Sequence, residues 1–216
     1  MKSPEISDKS RWFEILAVLT TAIGKFIFMD FLEWRLAYIL VVILFWGFFI
    51  RARLRGNPTL LKHWGFRVDN FKASLKMVIP FIILSSLLCF FIGYLQNSLN
   101  LNWHIFPLLL LYPIWGIIQQ FLLLSLLSGN LKDMKKTNFS NPQIILSSSL
   151  IFGFIHLPTP WLVIGTFILS LVYNYIFLRI PNIYSLGVFH GWMAALFFYT
   201  VVDKDPFNQV FGFLFK

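Results

Sequence analysis

The sequence predicts an all-α protein, a polytopic bundle of about seven transmembrane helices, and three observations lead to this prediction. Hydrophobic residues make up 58% of the 216-residue chain and charged residues only 12%, whereas soluble domains carry about 25% charged residues. The mean hydropathy is +0.74. Apolar runs of nearly bilayer length follow one another along the chain, which excludes an ordinary soluble domain.

A bilayer core requires about 20 apolar residues per helix, and seven segments approach this length. The first is the weakest because Glu14 and Lys25 interrupt it, so it could instead be an amphipathic helix at the interface. The fifth is short and ends at Pro158. The seven predicted spans are 12–29, 36–50, 75–95, 104–128, 143–158, 161–179 and 183–202. We expect a single membrane domain: N-terminal spans with a basic loop (1–103), a four-helix core (104–202) and a C-terminal tail (203–216).

Most basic residues fall on one side of this predicted bundle. Of the 18 Lys and Arg, 14 lie in the N-terminal tail, the segment 51–76, the loop after the fourth span and the turn after the sixth. Cytoplasmic loops carry such an excess of Lys and Arg. The sequence therefore predicts an integral protein of the plasma membrane (the inner membrane if bacterial), with a cytoplasmic N-terminus and an external C-terminus.

The segment 51–76 carries seven of these basic residues and has two interpretations. It could anchor the chain to anionic lipid headgroups, or it could dock a cytosolic partner. Within it, residues 64–76 resemble an interfacial amphipathic stretch that leads into the third span. The lipid bilayer is an expected partner, and nucleic acid is not, because the basic residues separate hydrophobic spans. Cys89 is the one cysteine, which excludes a disulfide or a Cys-based metal site within the chain.

Polar side chains inside the predicted spans are the candidates for a functional site, because polar groups at membrane depth are costly and usually functional. They are Gln119, Gln120, His156, Asn174 and His190. A rise of about 1.5 Å per residue places the glutamines and histidines in the cytoplasmic half or near the midplane. They could meet if the fourth, fifth and seventh spans are neighbours.

Two of the remaining features in these spans are predicted to serve packing. Asn174 is expected to hydrogen-bond between helices. Gly187 and Gly191 form a small-xxx-small pair around His190, which lets another helix approach closely. The same close approach would bring His190 near whatever packs there.

Three motifs follow one another in these spans: GIIQQFLLL, then IFGFIHLP, then NIYSLGVFHGWMAA. Their order resembles that of the CPBP intramembrane proteases, the CAAX protease or bacteriocin-processing family, which includes type II CAAX prenyl endopeptidase-like proteins. The family has E-E-x-x-x-R on one helix, F-x-x-x-H on the next and H-x-x-x-N or H-x-x-x-D on a later one. Phe152 and His156 match the second motif, and His190 matches the third. The resemblance covers residues 104–202.

The resemblance implies a CPBP-like core in the last four spans and hydrolysis of a peptide bond near the cytosolic face. The substrate would be a prenylated or membrane-embedded peptide or protein. Gln119 and Gln120 stand where the family has its two glutamates, Leu124 stands at the arginine, and Ala194 at the Asn or Asp. An amide cannot take a proton from water, so activity is expected to be weak or lost.

The resemblance leaves a metalloendopeptidase-like zinc at His156 and His190 open, and no other cofactor is expected. Catalytic zinc usually has three firm protein ligands, which two histidines and an amide do not supply. None of the nine acidic residues lies within the last four predicted spans. Gln120 and Leu124 are neutral residues at the positions of the family's acid and arginine. Because both charges are absent together, neither is left unpaired in the membrane, and the pattern indicates a site that still folds without them.

Two functions therefore remain open from the sequence. One is an intramembrane endopeptidase with an altered site. The other is a pseudoenzyme, a non-catalytic scaffold or bacteriocin-immunity-type factor that binds membrane peptides. A small transporter or channel is a third and less favoured interpretation, because the chain shows no inverted repeat and no pair of broken helices.

Overall fold

Apolar runs separated by capping residues and turns fold into helices along the whole described chain. The computed structural model describes residues 6–215, and these contain helices and no strand. Ser7 accepts a hydrogen bond from the backbone N–H of Ser10 and so caps the first helix, as side-chain oxygens commonly do. Asn182 caps the last long helix by accepting from the N–H of Ser185 at 2.9 Å.

The helices are defined by their bounds in chain order. They are α1 (Asp8–Lys25), α2 (Arg35–Gly56), α3 (Leu60–His63), α4 (Phe71–Gln96), α5 (Ile105–Gln120), α6 (Asn130–Asp133), α7 (Asn141–Phe154), α8 (Pro160–Phe177), α9 (Ile183–Phe197) and α10 (Pro206–Phe211). Wider π-helical turns extend α1 over Phe26–Phe31, join α5 to α6 over Phe121–Gly129 and extend α9 over Phe198–Val202, and a 3₁₀ turn covers Gly212–Phe215.

Six helical stretches in the described part of the chain are long and apolar enough to cross a membrane, and they confirm the predicted all-α membrane bundle. They are Asp8–Phe31, Arg35–Gly56, Phe71–Gln96, Ile105–Asp133, Pro160–Phe177 and Ile183–Val202. The predicted fifth span, 143–158, differs: it is the 14-residue α7, which covers about 21 Å against a hydrocarbon core of about 30 Å. It packs in a hairpin against α8.

Successive long helices run in opposite directions, so the bundle has two ends. The N-terminal part of α1, the connector 57–70, α6 and the turn after α8 form one end, which we call the basic end. There Arg53 donates to Glu14 at 2.9 Å, and Lys132 donates to the carbonyl of Leu178 at 2.9 Å. The turns α1–α2 and α7–α8, the loop α4–α5 and residues 203–205 form the opposite end, which we call the far end.

A buried charged network ties α1 to α2 and α6 at the basic end. Arg11 and Glu14 are 4% and 5% exposed. Arg11 donates to Asn130 at 3.0 Å and to Asp133 at 3.3 Å, and Asn130 donates to Glu14 at 2.8 Å. Because Arg53 also pairs with Glu14, each buried charge has an opposite charge or an amide beside it. The Glu14 that interrupts the first predicted span is thus part of a structural network.

The connector 57–70 closes the basic end. Trp64 is fully buried, and its carbonyl accepts from the hydroxyl of Ser125 at 2.6 Å. The carbonyl of Gly65 accepts from the N–H of Ile183 at 2.7 Å, and the φ of +87° at Gly65 favours glycine. The predicted interfacial amphipathic stretch, 64–76, is helical only from Phe71; before it, Trp64 and Gly65 are buried, whereas Val68 is 82% exposed.

Close backbone packing joins α5 to α9. A Cβ added to Gly191 would lie 2.5 Å from the backbone nitrogen of Pro113, and one added to Gly187 would lie 2.6 Å from the Cα of Ile117. Both approaches are closer than any side chain permits. The small-xxx-small pair thus packs as predicted, and it sets the position of His190, which lies between the two glycines.

Candidate functional site

The candidate site lies where α5, α7 and α9 meet near the middle of the bundle. Gln119 lies 14 residues from each end of the stretch Ile105–Asp133, which is about 21 Å from either end. Its side chain Oε1 lies 2.9 Å from Nε2 of His190 on α9. The fourth and seventh predicted spans are therefore neighbours, as the site predicted from the sequence required.

Phe152 brings the second histidine to the same place. Its ring centroid lies 4.9 Å from that of His156 and 5.7 Å from that of His190, both in edge-to-face arrangements. Phe152 is buried. The phenyl ring thus separates the two imidazoles and holds both at one side of α7.

Hydrogen bonds fix which nitrogen of each imidazole is free. Nδ1 of His156 lies 2.7 Å from the carbonyl oxygen of Phe152, and a carbonyl only accepts, so Nδ1 carries the hydrogen. Likewise Nε2 of His190 donates to the Oε1 of Gln119. In a neutral imidazole the other nitrogen is an acceptor, so His156 Nε2 and His190 Nδ1 are the free acceptors. No protein group among the described residues pairs with His190 Nδ1.

A cavity of about 1030 Å³ adjoins these side chains. Its size is at the upper end of the range for small-ligand sites, about 300–1,000 Å³. Gln119, His156 and His190 line it together with mostly apolar side chains of α1, α2, α4, α5, α8 and α9. Ile114 and Ile164, which also line it, are 52% and 51% exposed, so the cavity is open and not sealed.

The cavity extends to the far end of the bundle. Lys25, Asp30, Arg35 and Lys204 line it there, and we call this group the mouth. Lys25 donates to Asp30 and to the carbonyl of Leu157, each at 2.6 Å. The site was expected in the cytoplasmic half or near the midplane; its polar floor is near the midplane, and the mouth residues that line the same cavity lie at the far end.

The second glutamine of the pair does not share the site. Gln120 is fully buried, and neither its Oε1 nor its Nε2 has a partner among the described residues. Leu124, four positions on, is also fully buried and belongs to the hydrophobic core. Ala194 lines the cavity, but its methyl group offers no polar contact. The structure thus brings Gln119, His156 and His190 together and leaves Gln120 and Leu124 outside the cavity lining.

Asn174 belongs to a separate buried cluster that joins three helical segments. Ser128 donates to the Oδ1 of Asn174 at 2.5 Å and lies 2.9 Å from the hydroxyl of Ser148. The amide nitrogen of Asn174 donates to the carbonyl of Ser170 at 2.9 Å. These bonds connect the π-helical segment, α7 and α8, which is the interhelical role that the sequence predicts. Asn174 is therefore structural and not part of the cavity.

The donor set does not fit the zinc ion that the resemblance left open. Within residues 6–215 no group of three His, Cys, Asp or Glu side chains lies close enough together to hold a metal. One of the two imidazoles already donates from Nε2 to an amide oxygen, and the other donates from Nδ1 to a backbone carbonyl. A catalytic zinc site usually takes three firm protein ligands, so we derive no chemistry through a metal.

The mouth residues were not among the sequence candidates. In the sequence Lys25 only interrupts the first predicted span, and Arg35 and Lys204 are among the four Lys and Arg outside the predicted cytoplasmic segments. The available signal was the position of these three cations at the far ends of predicted spans. Lys25 and Lys204 both contact the α7–α8 turn: Lys25 bonds to Leu157, and Lys204 lies 3.5 Å from the hydroxyl of Thr159.

Comparisons with known proteins leave the family open. No protein-family model, no curated protein and no solved structure matches this chain. What the fold itself establishes is coarser. With six helices of sufficient length and apolar character, the chain is an integral membrane protein built as an all-helical bundle.

Proposed function

We propose that this protein binds an apolar segment of a membrane peptide in its central cavity and does not hydrolyse it. In this proposal it is a divergent, non-catalytic relative of the CPBP intramembrane proteases. The observation that carries the proposal is the hydrogen bond from His190 to Gln119 at 2.9 Å. The position that would need a carboxylate to accept a proton from water holds an amide, which has no usable pKa.

The acids of the cavity do not replace the missing carboxylate. Asp30 is the one acidic residue among those that line the cavity in the described structure. It is at the mouth and is paired with Lys25 at 2.6 Å. A carboxylate that already neutralises a lysine at the mouth is a poor candidate for activating water beside Gln119. Binding without cleavage is therefore the activity that this set of side chains supports best.

The position of the mouth residues favours a peptide that arrives from outside the cell. The excess of Lys and Arg at the basic end supports a cytoplasmic position for that end. The mouth is at the far end, which would then face the exterior. This arrangement supports the immunity-type version of the proposal, in which the protein captures a membrane-inserted peptide, over processing of a cytosolic substrate.

The proposal is tested with protein reconstituted in phosphatidylcholine nanodiscs and two photo-reactive probes. One is a farnesylated CAAX peptide, and the other is a Leu/Ala-rich peptide of about 20 residues, long enough to enter the bilayer. We expect both probes to cross-link to α5, α7 and α9, and we expect neither probe to be cleaved. His190→Leu should lower the cross-linking yield, whereas Thr20→Val, which removes an exposed hydroxyl bonded to its own helix, should not.

Cleavage of the farnesylated peptide by the native protein, lost on His156→Ala, would contradict the proposal and identify an active endopeptidase. Absence of cross-linking to either probe would also contradict it.

The variant Gln119→Glu tests the family assignment, because it places a carboxylate beside His190. We expect measurable cleavage from this variant; if it binds the peptide and cleaves none, the relationship to a protease is removed and the binding role stands.

A further inference from the structure

A groove of about 400 Å³ lies at the basic end, between the start of α1 and the chain that follows α6. Its volume is within the range for small-ligand sites, about 300–1,000 Å³. No described residue lines both this groove and the central cavity. The residues that line it include Asp8, Lys9, Trp12, Phe13, Leu16 and Lys136, and we call it the interfacial groove.

The apolar wall of the interfacial groove is a stripe on α1. Trp12, Phe13 and Leu16 are 46%, 61% and 54% exposed. Trp12 comes four residues after the start of α1 at Asp8, the level at which aromatic side chains are enriched in membrane spans. Leu16 lies about one helical turn deeper than Trp12. The stripe therefore runs from the headgroup level into the bilayer, where an acyl chain can cover it.

Two lysines form the polar rim of the interfacial groove. Lys9 lies on α1, with its ammonium 5.9 Å from the centroid of the Phe13 ring, and Lys136 lies in the chain after α6. Within the described part of the chain, neither ammonium has an ion-pair partner. Both positive charges are therefore available to an anion.

Asp8 brings the two lysines of the rim together. Its carboxylate accepts from the backbone N–H of Lys135 and from that of Lys136, each at 3.2 Å, and Lys9 is the next residue along α1. Each oxygen of this carboxylate thus already accepts one N–H. Two lysines against one aspartate leave the rim with a net charge of +1. The rim therefore favours an anionic ligand.

We propose that the interfacial groove binds an anionic phospholipid of the cytoplasmic leaflet. Its phosphodiester binds the ammonium groups of Lys9 and Lys136, and one acyl chain lies along the stripe on α1. The excess of Lys and Arg at this end supports a cytoplasmic position, and the cytoplasmic leaflet carries the anionic lipids. A free phosphate ion would satisfy the lysines but leave the apolar stripe uncovered. The inference is independent of the proposed function, which concerns the central cavity.

Photo-labelling of the full chain by two lipids tests the inference. The protein is reconstituted in phosphatidylcholine nanodiscs with a trace of phosphatidylglycerol that carries a diazirine on one acyl chain, or with phosphatidylcholine that carries the same diazirine. One net positive charge near a membrane surface contributes roughly fivefold in affinity for anionic lipid. We expect the phosphatidylglycerol probe to label residues 12–16 and 134–137 about fivefold more than the phosphatidylcholine probe. Equal labelling by the two probes would overturn the inference.

A double variant removes the positive charges of the rim. Lys9→Gln/Lys136→Gln should lower labelling by phosphatidylglycerol to the level of phosphatidylcholine, and its Tm should stay unchanged because both side chains are exposed. The control Arg51→Gln/Lys72→Gln removes two exposed cations of the basic end that do not line the groove, and it should preserve the preference for phosphatidylglycerol. An equal loss in the two variants would show general attraction to the basic end and no specific site.

Inorganic phosphate distinguishes a lipid site from a site for a soluble anion. Phosphate replaces chloride at constant ionic strength, and we expect labelling by phosphatidylglycerol to persist. If phosphate alone abolishes it, the lysines bind a soluble phosphate and the inference is wrong. Cross-linking of the Leu/Ala-rich peptide to α5, α7 and α9 should be the same in Lys9→Gln/Lys136→Gln as in the native protein. Failure of this inference therefore leaves the proposed function intact.

Discussion

Two buried polar clusters lie in this bundle and differ in charge and in the kind of group that is left unpaired. The basic-end network is charged, and Arg11, Glu14 and Arg53 each have a partner of opposite charge. The floor of the cavity contains only amide and imidazole groups, and His190 keeps an unpaired acceptor. Both clusters are formed by residues far apart in the sequence.

The difference shows which cluster serves the fold and which is available to a ligand. A charged group that is buried must be paired, because an unpaired charge in a low-dielectric interior is costly. The pairing of every charge therefore marks a structural network, although the Nε atoms of Arg11 and Arg53 have no partner among the described residues. Free acceptors beside a cavity of about 1030 Å³ have a partner only when something else is bound. The same distinction places Asn174, which is fully bonded, with the structural residues.

Breaking the basic-end network should have the largest effect on stability. Glu14→Gln preserves the shape of the side chain but removes the negative charge that lies beside Arg53 and Asn130. Removing one partner of a buried ion pair costs about 3–5 kcal/mol, so we expect a large fall in Tm of the detergent-solubilised protein. The exposed pair Arg67–Asp69 provides the control, and Asp69→Asn should leave Tm nearly unchanged. Equal shifts in the two variants would show that burial is not the reason for the effect.

Separating α5 from α9 should have an intermediate effect and should also disturb the floor. Gly191→Ala places a methyl group 2.5 Å from backbone atoms of Tyr112 and Pro113, and overpacking of this kind costs about 1–3 kcal/mol. The helices must move apart, which lengthens the contact between Gln119 and His190. Gly47→Ala is the matched control, because nothing lies within 4 Å of its added Cβ. Thermal unfolding and peptide affinity are measured together, and loss of both in Gly191→Ala alone is expected.

The far end offers a smaller and pH-dependent effect. Burial raises the pKa of Asp205, but hydrogen bonds from His104, Tyr199 and the N–H of Asn208 outweigh burial and lower it. The stabilisation is therefore present above the ordinary Asp pKa of about 3.9 and is lost as pH falls through the lowered value.

Hydrogen exchange of Pro206–Phe211, corrected for intrinsic rates, measures this loss. We expect faster exchange at pH 3 than at pH 7, with no such change in α4, which contains no acidic residue. Asp205→Asn should show the fast exchange already at pH 7. If hydrogen exchange in the native protein does not change with pH, Asp205 does not stabilise the far end.

The sequence predicted the helices and the polar floor because both follow from local residue patterns or from the order of motifs along the chain. Apolar runs define spans through their length, and Gln119, His156 and His190 stand out because polar groups are rare at membrane depth. The glycine pair at 187 and 191 predicted close packing of another helix, and α5 packs there.

Other features depend on tertiary contacts that no local pattern contains. Trp64 is buried where the backbone of the connector bonds to Ser125 and Ile183, and the amphipathic pattern of 64–76 does not contain these contacts. The π-helical turns after Gln120 widen the helix where Ser128 reaches the carbonyl of Leu123 and the side chain of Asn174. Arg35 and Lys204, which are 169 positions apart, both line the cavity, and only the folded chain places them there.

The most direct test of the account removes the hydrogen-bonded pair Gln119–His190 from the polar floor and measures stability and binding in one variant. Gln119→Leu/His190→Leu replaces both partners of the hydrogen bond by apolar side chains, an exchange that is nearly neutral or stabilising when the bond is not needed for the fold. We predict an unchanged or higher Tm together with loss of affinity for the Leu/Ala-rich peptide in nanodiscs. A fall in Tm like that of Glu14→Gln, with peptide affinity retained, would contradict the claim that the floor exists to bind a ligand.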